Sequence, residues 1–171
     1  MRFRKLLTGL CILGSLIAGA AVADQLPEPL VFQLRRLAVL YGSWDEIEEV
    51  DGRIIQTVPR GPNDEIVLTV FGVQRYGAAT RTKQYVGVFV PEKKEPYAQH
   101  FRLVDVIRVD ASGLRSIERL DAKVVFDAKS GETSIAVPAL ENAKGDATGV
   151  PGKKVAIQLQ LKNGRLLEVG R

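Results

Sequence analysis

The sequence predicts an all-β domain led by one helix. Three observations carry that prediction. The apolar period changes from about 3.6 residues to 2 after Gly42. Turn pairs such as Ser130-Gly131 and Asn163-Gly164 stand between alternating runs. The links are too short for the crossovers of a dozen or more residues that parallel pairing needs. The expected architecture is an antiparallel up-and-down meander of about eight strands, closed as a barrel or bent into a strongly curved sheet.

Taken in order, the chain opens on three positive charges, Arg2, Arg4 and Lys5, followed by an apolar run from Leu6 to Val22. Ala21-Val22-Ala23 has the small-residue spacing of a signal-peptidase site, so residues 1–23 are expected to be a cleaved signal peptide and 24–171 a single β-rich domain. The run is 17 residues long and holds Gly9, Gly14, Ser15 and Gly19, which is short for a membrane span of about 20 apolar residues. A lipoprotein signal is excluded by Leu10, a large residue where a small one should precede Cys11. The expected compartment is the periplasm, in keeping with the short signal and the absence of any Asn-x-Ser/Thr acceptor.

Cleavage changes what composition implies. Of 24 basic residues three leave with the signal, so 21 face 20 acidic ones and the net charge drops from +4 to +1. A nucleic-acid partner loses its main support. The single Cys and single Met, Cys11 and Met1, leave too. No disulfide, thiolate ligand or Cys nucleophile is then available.

In the mature chain Leu26-Pro27-Glu28-Pro29 is an extended lead. Leu30, Leu34, Leu37 and Tyr41 recur at spacings of four, three and four, with Gln33, Arg35 and Arg36 turned away: one amphipathic helix ending at Gly42. Ser43-Trp44-Asp45-Glu46 could cap a second short helix. The preferred reading is a hairpin at Asp51-Gly52, with strands Trp44 to Val50 and Arg53 to Val58. Strands follow at Ile66-Leu68-Val70, Tyr85–Val90, Phe101–Val109, Val124–Phe126, Ile135–Val137 and Val155–Leu161. The one long link, Pro138 to Lys154, is a solvated excursion or a flap over an opening, the excursion being preferred.

The chemistry is sparse. His100 is the only histidine and falls beside Arg102 on a polar strand face, so no His-based triad and no zinc site can be assembled. Asp127-Ala128-Lys129-Ser130-Gly131-Glu132 has Lys129 where a calcium loop needs an acid and reads as a turn. The acids Asp45, Glu46, Glu48, Glu49 and Asp51 lie within seven residues and look solvated, whereas general acid and base groups need burial. No metal, no cofactor and no enzymatic activity are expected. Asp105 stands out, because strict alternation puts it with Phe101, Leu103, Ile107 and Val109 on the face to be buried. A buried carboxylate must be paired, lie near an open end, or be turned outward by a bulge. A bulge or a structural pair is preferred to ligand contact.

Leu37-Ala38-Val39-Leu40-Tyr41-Gly42-Ser43-Trp44 brings a leading helix into a Gly-x-Trp strand entry, with a strand meander behind it. In this the chain resembles the lipocalin/calycin barrels. The resemblance in motif covers residues 37 to 55. It implies that Trp44 closes one barrel end under an arginine from the last strand, Arg165 or Arg171, and that the interior holds a small hydrophobic molecule. A plain core anchor in a β-sandwich is the competing role for Trp44.

An eight-stranded barrel can be filled by side chains or can hold one ligand. The residues expected to line such an interior include Leu68, Val70, Phe89, Phe101, Leu103, Asp105 and Phe126. The function expected is that of an exported, non-catalytic protein holding a small apolar molecule or lipid. The alternative is a protein-partner module (inhibitor, immunity protein or envelope-assembly accessory) acting through loops such as Gln74-Arg75-Tyr76-Gly77 and Glu92–Tyr97.

Overall fold

A computed structural model describes residues 27–42, 46–61, 64–75, 82–92, 100–110, 115–143, 146 and 151–170. Residues 1–26, Trp44, Arg171 and the tips of the two tyrosine-bearing loops lie outside them.

Helix α1 spans Glu28–Tyr41. Pro27 precedes it in an extended conformation, and its carbonyl accepts the first amide bonds, from Leu30 at 2.9 Å and Val31 at 3.1 Å. Pro29 lies in the first turn, where a missing N–H costs nothing. At the other end the Gly42 amide donates to the Ala38 carbonyl at 2.8 Å while its backbone extends into the next segment. Leu30, Leu34, Leu37 and Ala38 are the buried stripe. The expected period holds for the three leucines; Ala38 joins them, and Tyr41, expected as the fourth, is exposed at the end of the helix.

Nine strands follow among the described residues: β1 (Glu46–Gly61), β2 (Asp64–Arg75), β3 (Thr82–Glu92), β4 (His100–Arg108), β5 (Arg115–Ser116), β6 (Lys123–Asp127), β7 (Glu132–Glu141), β8 (Lys153–Lys162) and β9 (Arg165–Glu168). All pairings are antiparallel. The first four strands form one sheet in chain order, and the rest form a second in which both β5 and β6 pair with β7. The protein is thus an all-β meander with an N-terminal helix, curled as a half-barrel.

Turn chemistry behaves as expected at two of the glycine turns. Asn163 and Gly164 both take positive φ, 51° and 72°, and join β8 to β9 as a two-residue hairpin. Gly131, at φ 70°, closes the β6–β7 turn. Asp51-Gly52 does not turn the chain. β1 runs straight through it, with a register shift between Glu49 and Ile54 that opposes several residues to one position of β2. The dipeptide that would make a hairpin at a strand end makes an irregularity inside a long strand, because β2 pairs on both sides of it. Pro138 belongs to β7 rather than to the long link. It falls between the stretch paired with β6 and the stretch paired with β5, where β7 has no partner on that side. A proline is tolerated where the ladder is already interrupted.

Two apolar layers result. Between the sheets lie Ile66, Leu68, Val70, Val86 and Val88 from the first and Ile135, Val137, Ile157, Leu159 and Leu166 from the second. On the opposite face of the first sheet α1 packs Leu30, Leu34, Leu37 and Ala38 against Val67, Phe71, Val73, Tyr85, Phe89 and Phe101. The first sheet is buried on both faces, which is why Tyr85–Val90 reads as an unbroken apolar run.

Side chains join the sheets at both seams. Gln56 grips Ala122: its Oε1 accepts from the Ala122 amide at 2.8 Å and its Nε2 donates to the carbonyl at 3.0 Å. Gln84 grips Ile117 in the same way, at 2.7 and 3.1 Å. These two amides imitate strand pairing and hold residues 117–122 against the first sheet. At the other seam the sheets meet through Asp105, described next.

Candidate functional site

The register of β3 and β4 shifts at one point. Phe89 pairs with Leu103 and Val88 with Asp105, so Val104 is the extra residue of a bulge. The bulge turns the Asp105 carboxylate to the edge of β4. There Oδ2 accepts from the Leu166 amide of β9 at 2.7 Å, and Oδ1 accepts from the Val106 amide at 2.9 Å. Arg165 Nε lies 3.5 Å from the same carboxylate. Asp105 therefore acts as a seam group between two edge strands, the structural role that its place in the sequence favoured.

Beyond that seam, between α1 and the β3–β4 strands, lies a groove of about 650 Å³. That is within the range of about 300–1,000 Å³ typical of small-molecule sites. Leu37, Phe89 and Phe101 form its floor, all three belonging to the layer under the helix. Val39, Leu40 and Leu103 also line it and stay uncovered, at 80, 77 and 37 % exposure. Arg35 and Arg36 on α1 and His100 and Arg102 on β4 complete the lining with Gln33. The Arg36 guanidinium lies 5.6 Å over the Phe32 ring, and Arg102 is joined to Glu92 at 2.8 Å.

The floor depends on a glycine. Gly87 sits directly across from Thr69 in the β2–β3 ladder. A Cβ there would lie 2.9 Å from Thr69 Oγ1 and 3.1 Å from the edge of the Phe89 ring. Gly87 thus leaves room for the Phe89 ring in the layer under the helix. Thr69 is fully buried and its hydroxyl has no hydrogen-bond partner.

The residues expected to line a single interior are distributed over several places. Leu68 and Val70 are fully buried between the sheets. Phe89, Phe101 and Leu103 lie on the opposite face and line the groove together. An inward Phe89 is corrected by the phase of β3: Val86 and Val88 take the face toward the second sheet, and alternation sends Phe89 to the helix. Phe126 is half exposed on β6, with the Arg60 guanidinium 5.8 Å from its ring. Of the motif residues, Gly42 ends α1, Arg165 is at the Asp105 seam, and Trp44 lies outside the described residues.

Sequence reasoning missed the helix side of the groove. The signal was present in Val39 and Leu40, two apolar residues on the face of α1 turned from its core stripe, next to the Arg35-Arg36 pair. A helix that only packs against a sheet has no need of them.

A second, smaller recess of about 230 Å³ lies at the end of the second sheet. Arg115 enters it as a bidentate partner of Glu168, at 2.6 and 3.0 Å, with Glu141 close by. The Glu168 carboxylate holds the Arg115 charge more firmly than usual, against the opposing effect of burial.

No family model, no curated protein and no solved structure matches the chain. None of the described helices is long and apolar enough to cross a membrane.

Proposed function

We propose that this is an exported, non-catalytic binding protein that holds a small apolar molecule or lipid, a role like that of the lipocalin-type carriers. The groove between α1 and β3–β4 carries the reading: an apolar floor, uncovered apolar walls and a volume suited to one small ligand. The ligand would lie against the outer face of the curled sheet, under the helix, since the layer between the sheets is occupied by its own side chains. Export to the periplasm rests on residues 1–23 with their basic start and Ala21-Val22-Ala23 end. A binding rather than catalytic role rests on a mature chain with one histidine and no thiol.

Native mass spectrometry of protein purified from the cell envelope tests this. A retained small molecule that is lost in Leu40→Asp supports the groove. Protein that carries nothing, and takes up nothing when mixed with an envelope lipid extract, overturns the reading.

A protein-partner role is the second reading, favoured by Phe32, Val39 and Leu40 exposed together along α1. Stoichiometric capture of one envelope protein by the wild-type chain, lost in Phe32→Asp, would establish it instead.

A further inference from the structure

Every charged residue among those described as lining the groove is basic: Arg35 and Arg36 from the helix bank and Arg102 from the strand bank, with His100 beside it. The mature chain as a whole is expected to be close to neutral, so this concentration of cations is local. The groove also has two chemically distinct parts. Leu37, Phe89 and Phe101 offer a floor with no charge, and the uncovered Val39, Leu40 and Leu103 extend it. Arginines next to uncovered apolar surface suit a molecule that is apolar along its length and anionic at one end. Arg102 already holds Glu92 through Nε at 2.8 Å and Arg36 already lies over the Phe32 ring, so both guanidinium groups would meet an anionic end with their remaining N–H donors. A carboxylate or phosphate end would accept their charge-assisted hydrogen bonds, for which arginine's planar fork is well shaped.

We propose that the groove takes a single-chain anionic amphiphile of fatty-acid type, with its chain on Leu37, Phe89 and Phe101 and its charged end at Arg36 and Arg102. One chain rather than two follows from a volume of about 650 Å³, mid-range for a site that holds one small ligand. The proposal rests on the groove being the binding site and adds the charge and chain number of what it binds.

Calorimetric titration of the mature chain with dodecanoate below its micelle concentration, and with methyl dodecanoate, tests it. Dodecanoate should bind one to one, and the ester at least about tenfold more weakly. Arg36→Ala and Arg102→Ala should each weaken dodecanoate by roughly three- to tenfold while leaving the ester unchanged. Leu40→Asp should abolish binding of both. All three positions are solvent-accessible, and far-UV circular dichroism verifies that the variants fold. Equal affinity for acid and ester would overturn the anionic end and leave the apolar groove standing. No binding of either would overturn both readings. Co-sedimentation with phosphatidylglycerol vesicles in the absence of one-to-one dodecanoate binding would overturn the free ligand in favour of membrane docking.

Discussion

Asp105 on β4 accepts a hydrogen bond from the backbone amide of Leu166 on β9, at 2.7 Å, and that bond spans the seam between the two sheets. No strand ladder joins β4 to β9. A bulge at Val104 is what brings the carboxylate to the edge. The half-barrel is therefore closed here by a side chain standing in for a backbone carbonyl.

Replacing Asp105 by Ala leaves the Leu166 amide without its acceptor, and should cost about 1–3 kcal/mol in chemical denaturation. Arg165→Ala should cost less than about 0.5 kcal/mol, because the Arg165 side chain is largely exposed and surface pairs contribute little. Equal losses from the two substitutions would show that the ion pair, and not the amide bond, holds the seam.

The glutamine clamps make a parallel case on the other side. Gln84→Ala removes the side-chain partners of the Ile117 N–H and C=O, and Gln56→Ala those of the Ala122 N–H and C=O. Each should cost about 1–3 kcal/mol. Hydrogen exchange should quicken at the Ile117 amide in the first variant and at the Ala122 amide in the second. Unchanged protection would mean that packing of Ile117 and Leu120 alone retains the segment.

Under the helix, Gly87→Ala should lower stability and Thr69→Val should not. The added Cβ at 87 meets the Thr69 hydroxyl closer than real contacts allow and crowds the Phe89 ring, so a loss of about 1–3 kcal/mol is expected. Thr69→Val deletes a buried hydroxyl that has no partner, and thermal unfolding should be unchanged or raised, by up to about 1 kcal/mol. A destabilised Thr69→Val would show that the hydroxyl is satisfied in solution.

Asp127 offers a pH test. The Lys129 backbone amide, foremost, and the Ser130 hydroxyl hold its carboxyl below the usual carboxylate range. A group whose pKa is lowered on folding contributes stability above its unfolded value, near 3.9, and loses it as pH falls through the lower folded value. NMR titration should give a midpoint below about 3.9, and Ser130→Ala should raise it part of the way. A midpoint at the ordinary value, unmoved by Ser130→Ala, would remove the turn's hydrogen bonds as its cause.

Much of this fold is legible one segment at a time. The α1 stripe, the Asn163-Gly164 and Ser130-Gly131 turns and the antiparallel order all rest on local geometry, namely side-chain period and backbone φ. Asp51-Gly52 misleads because the same dipeptide suits a hairpin and a strand irregularity, and only the partner strand distinguishes them. Asp105 was recognisable as anomalous, but its partner Leu166 is 61 residues away and contributes an amide that every residue has. The groove was half visible: Phe89, Phe101 and Leu103 stood out as apolar, and Arg35, Arg36, Val39 and Leu40 did not suggest a site.

By itself the sequence determined the leading helix, most of the strands and their antiparallel order, because alternation and turn conformations are properties of neighbouring residues. Only the tertiary structure decided which side of the first sheet each apolar residue serves. Tyr85–Val90 is apolar on both faces and carries no phase of its own, so Val86 and Val88 were assigned to the second sheet, and Tyr85 and Phe89 to the helix, by what packs against them. The groove exists for the same reason: it lies where α1 meets β3 and β4, a fact of packing that no local pattern encodes.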